Sequence, residues 1–517
     1  MNAFRRRASA RTPASAASRV VRSPRRLAGA LAAVAAATAL VAAGLVVLDE
    51  RVWPERGPDR APAERASRLL AAEAGRVRGD DPDLARRLAL AAYQTAPTGE
   101  ARAALLTAYP AHYRRAAVLR GHSVTPRHLV FSPDGKLLAS AAGDDFSEDM
   151  DGATGAHDNT ARLWDTASRG SEAVAVLPHP YAEQAVFSPD GSLVVSVGSD
   201  ATQLWDAASR GDDNHPLATF ADGDLATNEA AFSPDGSLLA TVNSDGAARL
   251  WDPARRGVDV PPLAVLNSGD SSMWHVAFSP DGRLVATADS AGAVRVWDTG
   301  RRGLVLSAVA VLIADPDDWI TDVAFSPDGR FVATGASSGV ARLWPATGGP
   351  EARPLATFLS GRDGGEVDVA FSPDGKLLAV TTDSGALLLD SAARGTGAAP
   401  LAVFAGHRFG VGAVAFSPDG RTLATGGGSE VQLWDPAARG PDARPVATLD
   451  HPDATTAVAF SPDGSLLATA SGDNRLRLWA VDPDGTAAGA CATPADRLTA
   501  AEWSRVVPDL SYRSPCR

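Results

Sequence analysis

The chain has 517 residues, of which 45% are hydrophobic and 21% are charged, and these proportions are those of a folded protein. This length allows two or three ordinary domains or one large repeat architecture. The formal net charge is −12, but residues 1–26 hold eight arginines and no acid, which leaves −20 on the remainder. A body this acidic repels a phosphate backbone, which argues against nucleic acid as a partner.

An uncharged stretch of 22 residues, from Leu27 to Leu48, directly follows the arginines. As a helix it is long enough to cross the hydrocarbon core of a membrane. The basic side is expected to stay in the cytoplasm, which puts the rest of the chain outside. We therefore predict a cytoplasmic tail over 1–26, a transmembrane anchor over 27–48 and a linker over 49–62. A cleaved signal peptide is the alternative, and it would export the same body.

Residues 63–113 place apolar side chains at helical spacing and predict a short helical lead-in. The run Gly79-Asp80-Asp81-Pro82 interrupts the pattern, which resumes as DLARRLALAAYQTA. A third short helix is expected after Pro97.

The pentapeptide Phe-Ser-Pro-Asp-Gly occurs eight times, with a first interval of 56 residues and later intervals of 44–47 residues. Short apolar runs repeated at this period predict an array of four-stranded units. In the turn, proline presets φ, aspartate suits the next position, and glycine accepts the positive φ that closes a hairpin. The eight copies begin at Phe131, Phe187, Phe232, Phe278, Phe325, Phe371, Phe416 and Phe460.

A second signature, Leu-Trp-Asp or a close variant, ends the third predicted strand of seven units. The sixth unit has Leu388-Leu389-Asp390 instead, and the seven tryptophans are Trp164, Trp205, Trp251, Trp297, Trp344, Trp434 and Trp479. Together the two signatures resemble WD40 repeats over residues 114–481. The resemblance implies an all-β fold, a WD40-type β-propeller.

In WD40 proteins a blade contains a buried, hydrogen-bonded set of His, Ser or Thr, Asp and Trp, and the resemblance implies a structural role for the matching residues. In the first unit they are His122, Ser140, Trp164 and either Asp144 or Asp158. In the eighth unit they are His451, Thr469, Asp473 and Trp479. Unit seven keeps His407, Thr425 and Trp434, but Ser429 stands at the Asp position. The middle units are expected to lack the histidine.

The ring also needs a closure. Residues Ala116–Arg120 resemble the outer strands of later units, whereas the last unit ends at Trp479 without an outer strand. We predict that this N-terminal strand completes the eighth blade beside Arg475–Trp479. The result is a closed, eight-bladed propeller, whereas seven blades would leave an unpaired edge.

Both cysteines of the chain, Cys491 and Cys516, lie in the C-terminal tail over 482–517. In an exported protein such a pair predicts one disulfide bond, and we expect it to pin a short helix onto the last blade. The helical lead-in and the tail also resemble the segments that flank WD40 arrays in large actinobacterial signalling proteins.

Sequence motifs of catalysis are absent: there is no HExxH, GxSxG or Walker-type loop. No recurring polar residue marks the central channel in the sequence. We therefore predict a non-enzymatic, monomeric scaffold without cofactor or metal, which binds protein partners as WD40 relatives do. The alternative is an exported propeller that binds or processes a small molecule or glycan in its channel.

An arginine recurs five positions after the tryptophan site and is expected to form a ring on one face. The ring could bind anions, but we expect each arginine to pair with an aspartate of a Ser-Pro-Asp-Gly turn. The arginines are Arg169, Arg210, Arg256, Arg302, Arg394 and Arg439.

The turn between the second and third strands of the first unit is about 14 residues longer than its counterpart in the eighth. Loops vary without disturbing the scaffold beneath them, so this insertion is the candidate partner-binding loop, suited to a basic or metal-bridged partner. Its oxygens would also suit calcium, although the spacing matches no established calcium loop, and a solvated acidic loop is the alternative. The acids are Asp144, Asp145, Glu148, Asp149, Asp151 and Asp158.

Overall fold

The computed structural model describes residues 60–109, 115–143, 158–168, 170–198, 201–220, 226–267, 271–300, 308–313, 318–349, 352–359, 367–383, 385–492, 497–512, 514 and 516. The predicted tail and anchor lie outside these residues, as do residues 144–157 of the acidic turn. Within the described part of the chain, no helix combines the length and apolar character required to cross a membrane.

Eight mainly antiparallel sheets form the blades of the propeller, each with its strands ordered from the inner to the outer edge. The first two blades contain β2 (His128–Phe131), β3 (Leu137–Ala142), β4 (Thr160–Asp165), β5 (Ala175–Pro178), β6 (Gln184–Phe187), β7 (Leu193–Val197), β8 (Thr202–Asp206) and β9 (Ala218–Phe220). Blades three and four contain β10 (Thr227–Phe232), β11 (Leu239–Asn243), β12 (Ala247–Trp251), β14 (Ala264–Asn267), β15 (Met273–Phe278), β16 (Leu284–Asp289), β17 (Ala293–Asp298) and β18 (Ala310–Ile313).

Blades five and six contain β19 (Ile320–Phe325), β20 (Phe331–Ala336), β21 (Val340–Pro345), β22 (Ala356–Leu359), β23 (Val369–Phe371), β24 (Leu377–Thr382), β25 (Gly385–Asp390) and β27 (Ala402–Ala405). Blades seven and eight contain β28 (Val411–Phe416), β29 (Leu423–Gly427), β30 (Glu430–Trp434), β32 (Ala447–Asp450), β33 (Thr455–Phe460), β34 (Leu466–Ser471), β35 (Arg475–Ala480) and β1 (Arg115–Leu119). Three short strands pair in parallel with the outer strand of the preceding blade, and they are β13 (Gly257–Val260), β26 (Gly395–Thr396) and β31 (Gly440–Ala443).

The predicted ring closure is confirmed. Strand β1 pairs antiparallel with β35, with Ala117 opposite Leu478 and Leu119 opposite Leu476. The N-terminal strand therefore supplies the outer strand of the eighth blade, and an all-β, eight-bladed propeller is the architecture of the chain.

The Ser-Pro-Asp-Gly turns close the hairpin between the two innermost strands of each blade. In the first copy the Gly135 amide donates to the Ser132 carbonyl oxygen at 2.8 Å, and the Leu137 amide donates to Ser132 Oγ at 2.9 Å. Ser132 Oγ in turn donates to Asp134 Oδ1 at 2.8 Å. The glycine has a φ of 70°, a conformation that side-chain-bearing residues rarely adopt, so the turn requires it.

The tryptophans pack each blade against the preceding one. Trp164 of the first blade lies in a buried cluster with Leu476 and Leu478 of the eighth blade, which joins the two ends of the array. In the sixth blade Leu389 takes the same place and packs against Leu343 and other apolar residues of the fifth. An aliphatic side chain therefore fills the position where the tryptophan is missing.

Five helices of the described residues form a separate module beside the ring. Three belong to the lead-in, α1 (Arg60–Val77), α2 (Pro82–Thr95) and α3 (Gly99–Ala108), and two to the tail, α4 (Pro483–Cys491) and α5 (Ala500–Val506). The two ends of the chain share one apolar cluster. Arg87 Nη2 lies 2.7 Å from Glu502 Oε1, and Tyr93 Oη donates to Asp484 Oδ1 at 2.5 Å.

The prediction for the tail is correct about the disulfide bond and wrong about the surface on which the tail packs. Cys491 and Cys516 are bonded, with 5.3 Å between their Cα atoms. The tail contains two helices instead of one, and they pack on the lead-in helices, not on the last blade. The reason is that Trp503 and Leu498 bury their side chains in the apolar cluster that α1 and α2 present.

The module contacts the ring along the seventh blade. Leu106 of α3 lies in a buried cluster with Val446 and Trp479, and Thr107 Oγ1 donates to the Val446 carbonyl oxygen at 2.9 Å. At the other end of α3, a Cβ atom added to Gly99 would lie 1.6 Å from Asp435 Oδ2, so only glycine allows this approach.

Candidate functional site

The hydrogen-bonded set of the first blade forms from four side chains on different segments. Ser140 Oγ accepts from Trp164 Nε1 at 2.8 Å and lies 2.7 Å from His122 Nε2. His122 Nδ1 lies 2.8 Å from Asp158 Oδ2, so Asp158 is the acid of this set. Asp158 also accepts from the Ser123 amide at 2.7 Å, which ties the loop before the inner strand to the loop after the second strand.

Burial and hydrogen bonds shift the two ionisable groups of this set in the same direction. Burial lowers the pKa of His122, against the opposing effect of the Asp158 carboxylate. Burial alone would raise the pKa of Asp158, but the hydrogen bonds from His122 and Thr160 outweigh it and lower that pKa. At neutral pH the pair is therefore a neutral imidazole and a carboxylate.

The other blades vary this set. In the seventh blade Thr425 Oγ1 accepts from Trp434 Nε1 at 2.8 Å and lies 2.8 Å from His407 Nε2. In the eighth, Thr469 Oγ1 accepts from Trp479 Nε1 at 3.0 Å and lies 2.8 Å from His451 Nε2. The middle blades keep the bond between tryptophan and threonine, as in Trp297 to Thr287 (2.9 Å), Trp344 to Thr334 (3.0 Å) and Trp251 to Thr241 (3.0 Å).

Two details differ from the sequence interpretation. The second blade retains a histidine, because His179 Nδ1 lies 2.5 Å from Ser196 Oγ. Its signal in the sequence is Pro178-His179-Pro180, which lacks the Gly-His step. In the eighth blade the Asp473 carboxylate accepts from Ser471 Oγ at 2.6 Å and from Arg477 Nη1 at 2.9 Å, whereas His451 Nδ1 faces the Leu449 carbonyl oxygen.

The loop face is the end of the ring where the outer strand of one blade connects to the inner strand of the next. Large apolar side chains are exposed there. The exposed fractions are 57% for Ile313, 40% for Trp319, 65% for Leu359 and 68% for Phe409. Ile313 and Leu359 end the outer strands β18 and β22, Trp319 immediately precedes the inner strand β19, and Phe409 lies two residues before the inner strand β28.

The candidate partner-binding loop connects β3 and β4, whose adjoining ends lie at the same face, but all of its acids except Asp158 lie outside the described residues. Asp158 is the exception, and its side chain is buried and held by His122 and Ser123. Asp158 is therefore a scaffold residue and offers no free carboxylate to a partner. The other candidates, Asp144, Asp145, Glu148, Asp149 and Asp151, stay a prediction.

The arginines after the tryptophan sites lie on the opposite face, and their predicted partners are wrong. Each described guanidinium donates to carbonyl oxygens of its own turn, as Arg210 does to Ser209 at 2.7 Å and Arg439 does to Pro436 at 2.7 Å. Arg256 and Arg394 repeat the pattern. The arginines therefore have a structural role, because these bonds close the turn. Their acceptors are backbone carbonyl oxygens and not the aspartates of the Ser-Pro-Asp-Gly turns. Arg169 and Arg302 lie outside the described residues.

Polar residues do recur near the channel, against the sequence interpretation. They occupy the position three residues before the phenylalanine on the inner strands of six blades: His128, Gln184, Glu229, His275, Asp322 and Asp368. All six are buried. The seventh and eighth blades have alanines there, Ala413 and Ala457. The pattern was missed because the residue types differ from unit to unit.

These side chains hold adjacent blades together. Glu229 Oε2 accepts from the Val276 amide of the next blade at 2.9 Å, and Asp322 Oδ2 accepts from the Val369 amide at 2.8 Å. His275 Nδ1 also lies 3.3 Å from Glu229 Oε2. Burial raises the pKa of Asp322 to about 7, with the nearby His275 charge opposing the shift. The Asp322 carboxyl can exchange a proton near neutral pH, but its Oδ2 already accepts the hydrogen bond that joins the two blades.

Within the described residues, no group of three or more His, Cys, Asp and Glu side chains has a geometry that would hold a metal ion.

The eight blades and the hydrogen bonds from tryptophan to serine or threonine define a repeat propeller of the WD class. The family model "WD domain, G-beta repeat" matches residues 114–165, 216–252, 261–298, 307–345, 352–389, 398–435 and 443–480. The chain belongs to this family. The repeat with His179 in place of a Gly-His step is not among the matched segments. A search of curated proteins finds no match. WD40 propellers commonly act as protein-interaction scaffolds.

Proposed function

We propose that this chain is a membrane-anchored, extracytoplasmic scaffold that docks a protein partner on its loop face. One observation carries the proposal: four large apolar side chains, Ile313, Trp319, Leu359 and Phe409, are exposed on that face. Exposed apolar groups on a rigid frame are typical of interaction surfaces, and buried aromatic anchors supply much of the binding energy at protein interfaces.

The anchor and its orientation rest on the sequence. The uncharged run from Leu27 to Leu48 has the length of a membrane-spanning helix, and the arginines before it favour a cytoplasmic N-terminus. The disulfide between Cys491 and Cys516 supports an oxidising compartment for the body. The resemblance of the flanks to actinobacterial signalling proteins stays a prediction.

The acidic turn of the first blade is the second part of the proposed surface. It connects β3 and β4, whose adjoining ends lie at the loop face, and we therefore expect its carboxylates and the apolar side chains to contact one partner together. A partner with a basic rim would associate more weakly at high salt, because exposed charges are screened over about 8 Å at physiological ionic strength.

A small-molecule or glycan site in the channel is the second candidate function. The observation that favours it is the set of buried polar residues on six inner strands. Against it, Gln184, Glu229 and Asp322 already accept backbone hydrogen bonds from the following blade. A ligand would have to displace bonds that hold the ring together, so the scaffold function is the one we favour.

The experiment compares capture of partners by cross-linking in intact membranes. We expect the double variant Trp319→Ala/Phe409→Ala to lose the captured protein. Val258 is the matched control, because it is 78% exposed and lies in β13, on the outer rim of the ring beside β9. Val258→Ala should capture as the unchanged chain does. Equal capture by all three proteins would overturn the docking surface, and capture of a labelled glycan instead would favour the channel site.

A further inference from the structure

The outer edges of the blades are covered by the chain itself. In the described residues, the connection from the next blade reaches the outer strand at six blades. It pairs as a parallel strand at β9, β22 and β27. At three further blades it makes isolated backbone bonds. In the first blade the Val176 amide donates to the Gly211 carbonyl (2.9 Å) and the Gly211 amide donates to the Val174 carbonyl (2.9 Å). In the fourth the Val311 amide donates to the Gly349 carbonyl (3.4 Å), and in the eighth the Arg120 amide donates to the Ser171 carbonyl (2.8 Å).

Among the described residues, the seventh blade has no such cover. The connection that would cover it leads to β1, the outer strand of the eighth blade, and residues 110–114 of this connection lie outside the described residues. After β35 the chain enters α4 instead. Strand β32 is therefore the last strand of its sheet, with no fifth strand beside it among the described residues.

Residues of the outer strand are also less buried in the seventh blade than in the other blades. The alanine near the start of the outer strand is buried in six blades, at Ala175, Ala218, Ala264, Ala310, Ala356 and Ala402. Its counterpart in the seventh blade, Ala447, is only half-buried. The following residue, Thr448, is exposed, whereas Thr219, Thr357 and Val403 at the same position are half-buried. The edge of β32 is thus more open than the edges of its counterparts.

Among the described residues, helix α3 replaces the first contact of a covering strand. In the fifth and sixth blades the carbonyls of Leu355 and Leu401 accept from a glycine amide, at 2.8 Å from Gly395 and 2.9 Å from Gly440. In the seventh blade Thr107 Oγ1 donates to the equivalent carbonyl, that of Val446.

The rest of the edge faces a cleft of 580 Å³ between α3, β32 and the eighth blade. The side chains that shape it include Leu106, Thr107, Thr448, Asp450, Arg477 and Trp479.

We propose that an extended peptide of a partner protein binds in this cleft as a fifth strand, parallel to β32. In the first blade the Val176 amide, and in the fifth the Thr357 carbonyl, bind the covering chain. By the same register the amide and carbonyl of Thr448 point into the cleft. An open strand edge is a template for an added strand, and such addition is an established mode of peptide recognition.

The covering strands of other blades indicate the chemistry of this peptide. Their first residue is a glycine with positive φ, 86° at Gly395 and 93° at Gly440, so the peptide should begin with glycine. At the far end, Asp450 contributes a carboxylate to the cleft. Arg477 forms an ion pair with Asp473, with 2.5 Å between the closest atoms. A basic residue three positions after the glycine would therefore lie near an acid.

The test uses the full-length chain in detergent solution and a fluorescein-labelled peptide with the sequence of residues 393–400, which contain β26. Fluorescence anisotropy should report saturable binding. The amide of Gly397 donates to Thr357 in the fifth blade. N-methylation of that peptide amide should therefore weaken binding about tenfold, whereas N-methylation of the Thr396 amide should change it less than about twofold.

On the protein side, Thr448→Pro removes the amide that faces the cleft and leaves the side of β32 that pairs with β30. We expect it to abolish binding, while Thr448→Ala, which keeps the amide, binds as the unchanged chain does. A peptide with Ala398→Lys should bind several-fold more tightly (about fivefold), and Asp450→Asn should remove that gain.

Two results would overturn the proposal. The first is binding that neither N-methylation of Gly397 nor Thr448→Pro affects. The second is no binding to the unchanged chain, with binding restored when residues 110–114 are replaced by glycine and serine, since the cleft would then belong to the chain's own connecting segment. Neither result bears on the loop face, whose test uses other residues.

Discussion

A single buried hydroxyl organises most blades. Ser140, Thr425 and Thr469 each accept from a tryptophan ring and lie beside a histidine nitrogen. Buried donors that lose their acceptor are costly because they cannot recover a bond to water. The hydroxyl therefore contributes more to the stability of the blade than its small volume suggests.

Thr425→Val keeps the volume of the side chain and removes this hydroxyl. The indole of Trp434 and the ring of His407 then lose their shared partner. We expect a loss of about 1–3 kcal/mol in the free energy of unfolding. Thr425→Ser keeps the hydroxyl and should cost less than half as much. Chemical denaturation of both variants measures the difference, and equal losses would contradict the role of the bond.

Asp322 is the residue at which stability should respond to pH. Its pKa is raised from 3.8 to about 7 by burial, so the folded protein holds a proton there that the unfolded chain loses. The stabilising contribution is therefore complete below pH 4 and is lost as the pH rises through about 7. A carboxylate forced into this site at higher pH destabilises the ring.

Asp322→Asn keeps an oxygen for the Val369 amide and cannot ionise. We expect the variant to gain melting temperature relative to the unchanged chain at pH 8, and to gain little at pH 5. Asp134→Asn is the control, because the Lys136 ammonium holds the pKa of Asp134 at about 2, and its effect should be the same at both pH values. An Asp322→Asn effect that does not change with pH would contradict the raised pKa.

At the scale of elements, the flanking helices are part of the closure of the ring. Helix α3 lies along the seventh blade, whose outer edge no connection covers among the described residues, and β1 follows it in the chain. The tail helices then bury the far side of α1 and α2. The lead-in therefore stabilises the joint between the two ends of the propeller.

Gly99→Ala tests this contact. The added methyl group would collide with Asp435 Oδ2, so the N-terminus of α3 must move away from the seventh blade. We expect faster hydrogen exchange in β1 and α3 and a fall of several degrees (about 4–8 °C) in the melting temperature of this region. Gly75→Ala in α1 meets no atom within 4 Å and should stabilise by up to about 1 kcal/mol. Unchanged exchange in the Gly99 variant would contradict the docking of α3.

The helices were predictable from spacing, but their partners were not. Apolar periodicity in residues 63–113 marks an amphipathic segment without saying what covers it. The short tail holds Trp503, whose burial depends on a surface formed almost 400 residues earlier in the chain. Likewise, the arginine ring was visible as a repeat, yet the choice between carboxylate and carbonyl acceptors depends on turn geometry. Local sequence patterns do not predict contacts between distant segments.

For the whole molecule, the architecture followed directly from the repeats. Eight Phe-Ser-Pro-Asp-Gly turns and a spare outer strand at the N-terminus are sufficient to predict eight blades and their closure. The two halves of the ring are stabilised differently. Histidine joins the buried set in blades seven, eight, one and two. In blades three and five a carboxylate oxygen instead accepts a hydrogen bond from a backbone amide of the next blade.

The central claim, that a partner docks on the loop face outside the cytoplasm, is tested most directly by site-specific photo-crosslinking in intact cells. A photoreactive amino acid replaces Phe409 on the loop face or Val258 on the outer rim, and cross-linked products are identified by mass spectrometry. We predict a specific protein adduct at position 409, none at 258, and removal of the adduct by protease added outside the cells. Adducts only at 258, or an adduct at 409 with a cytoplasmic protein, would contradict the account.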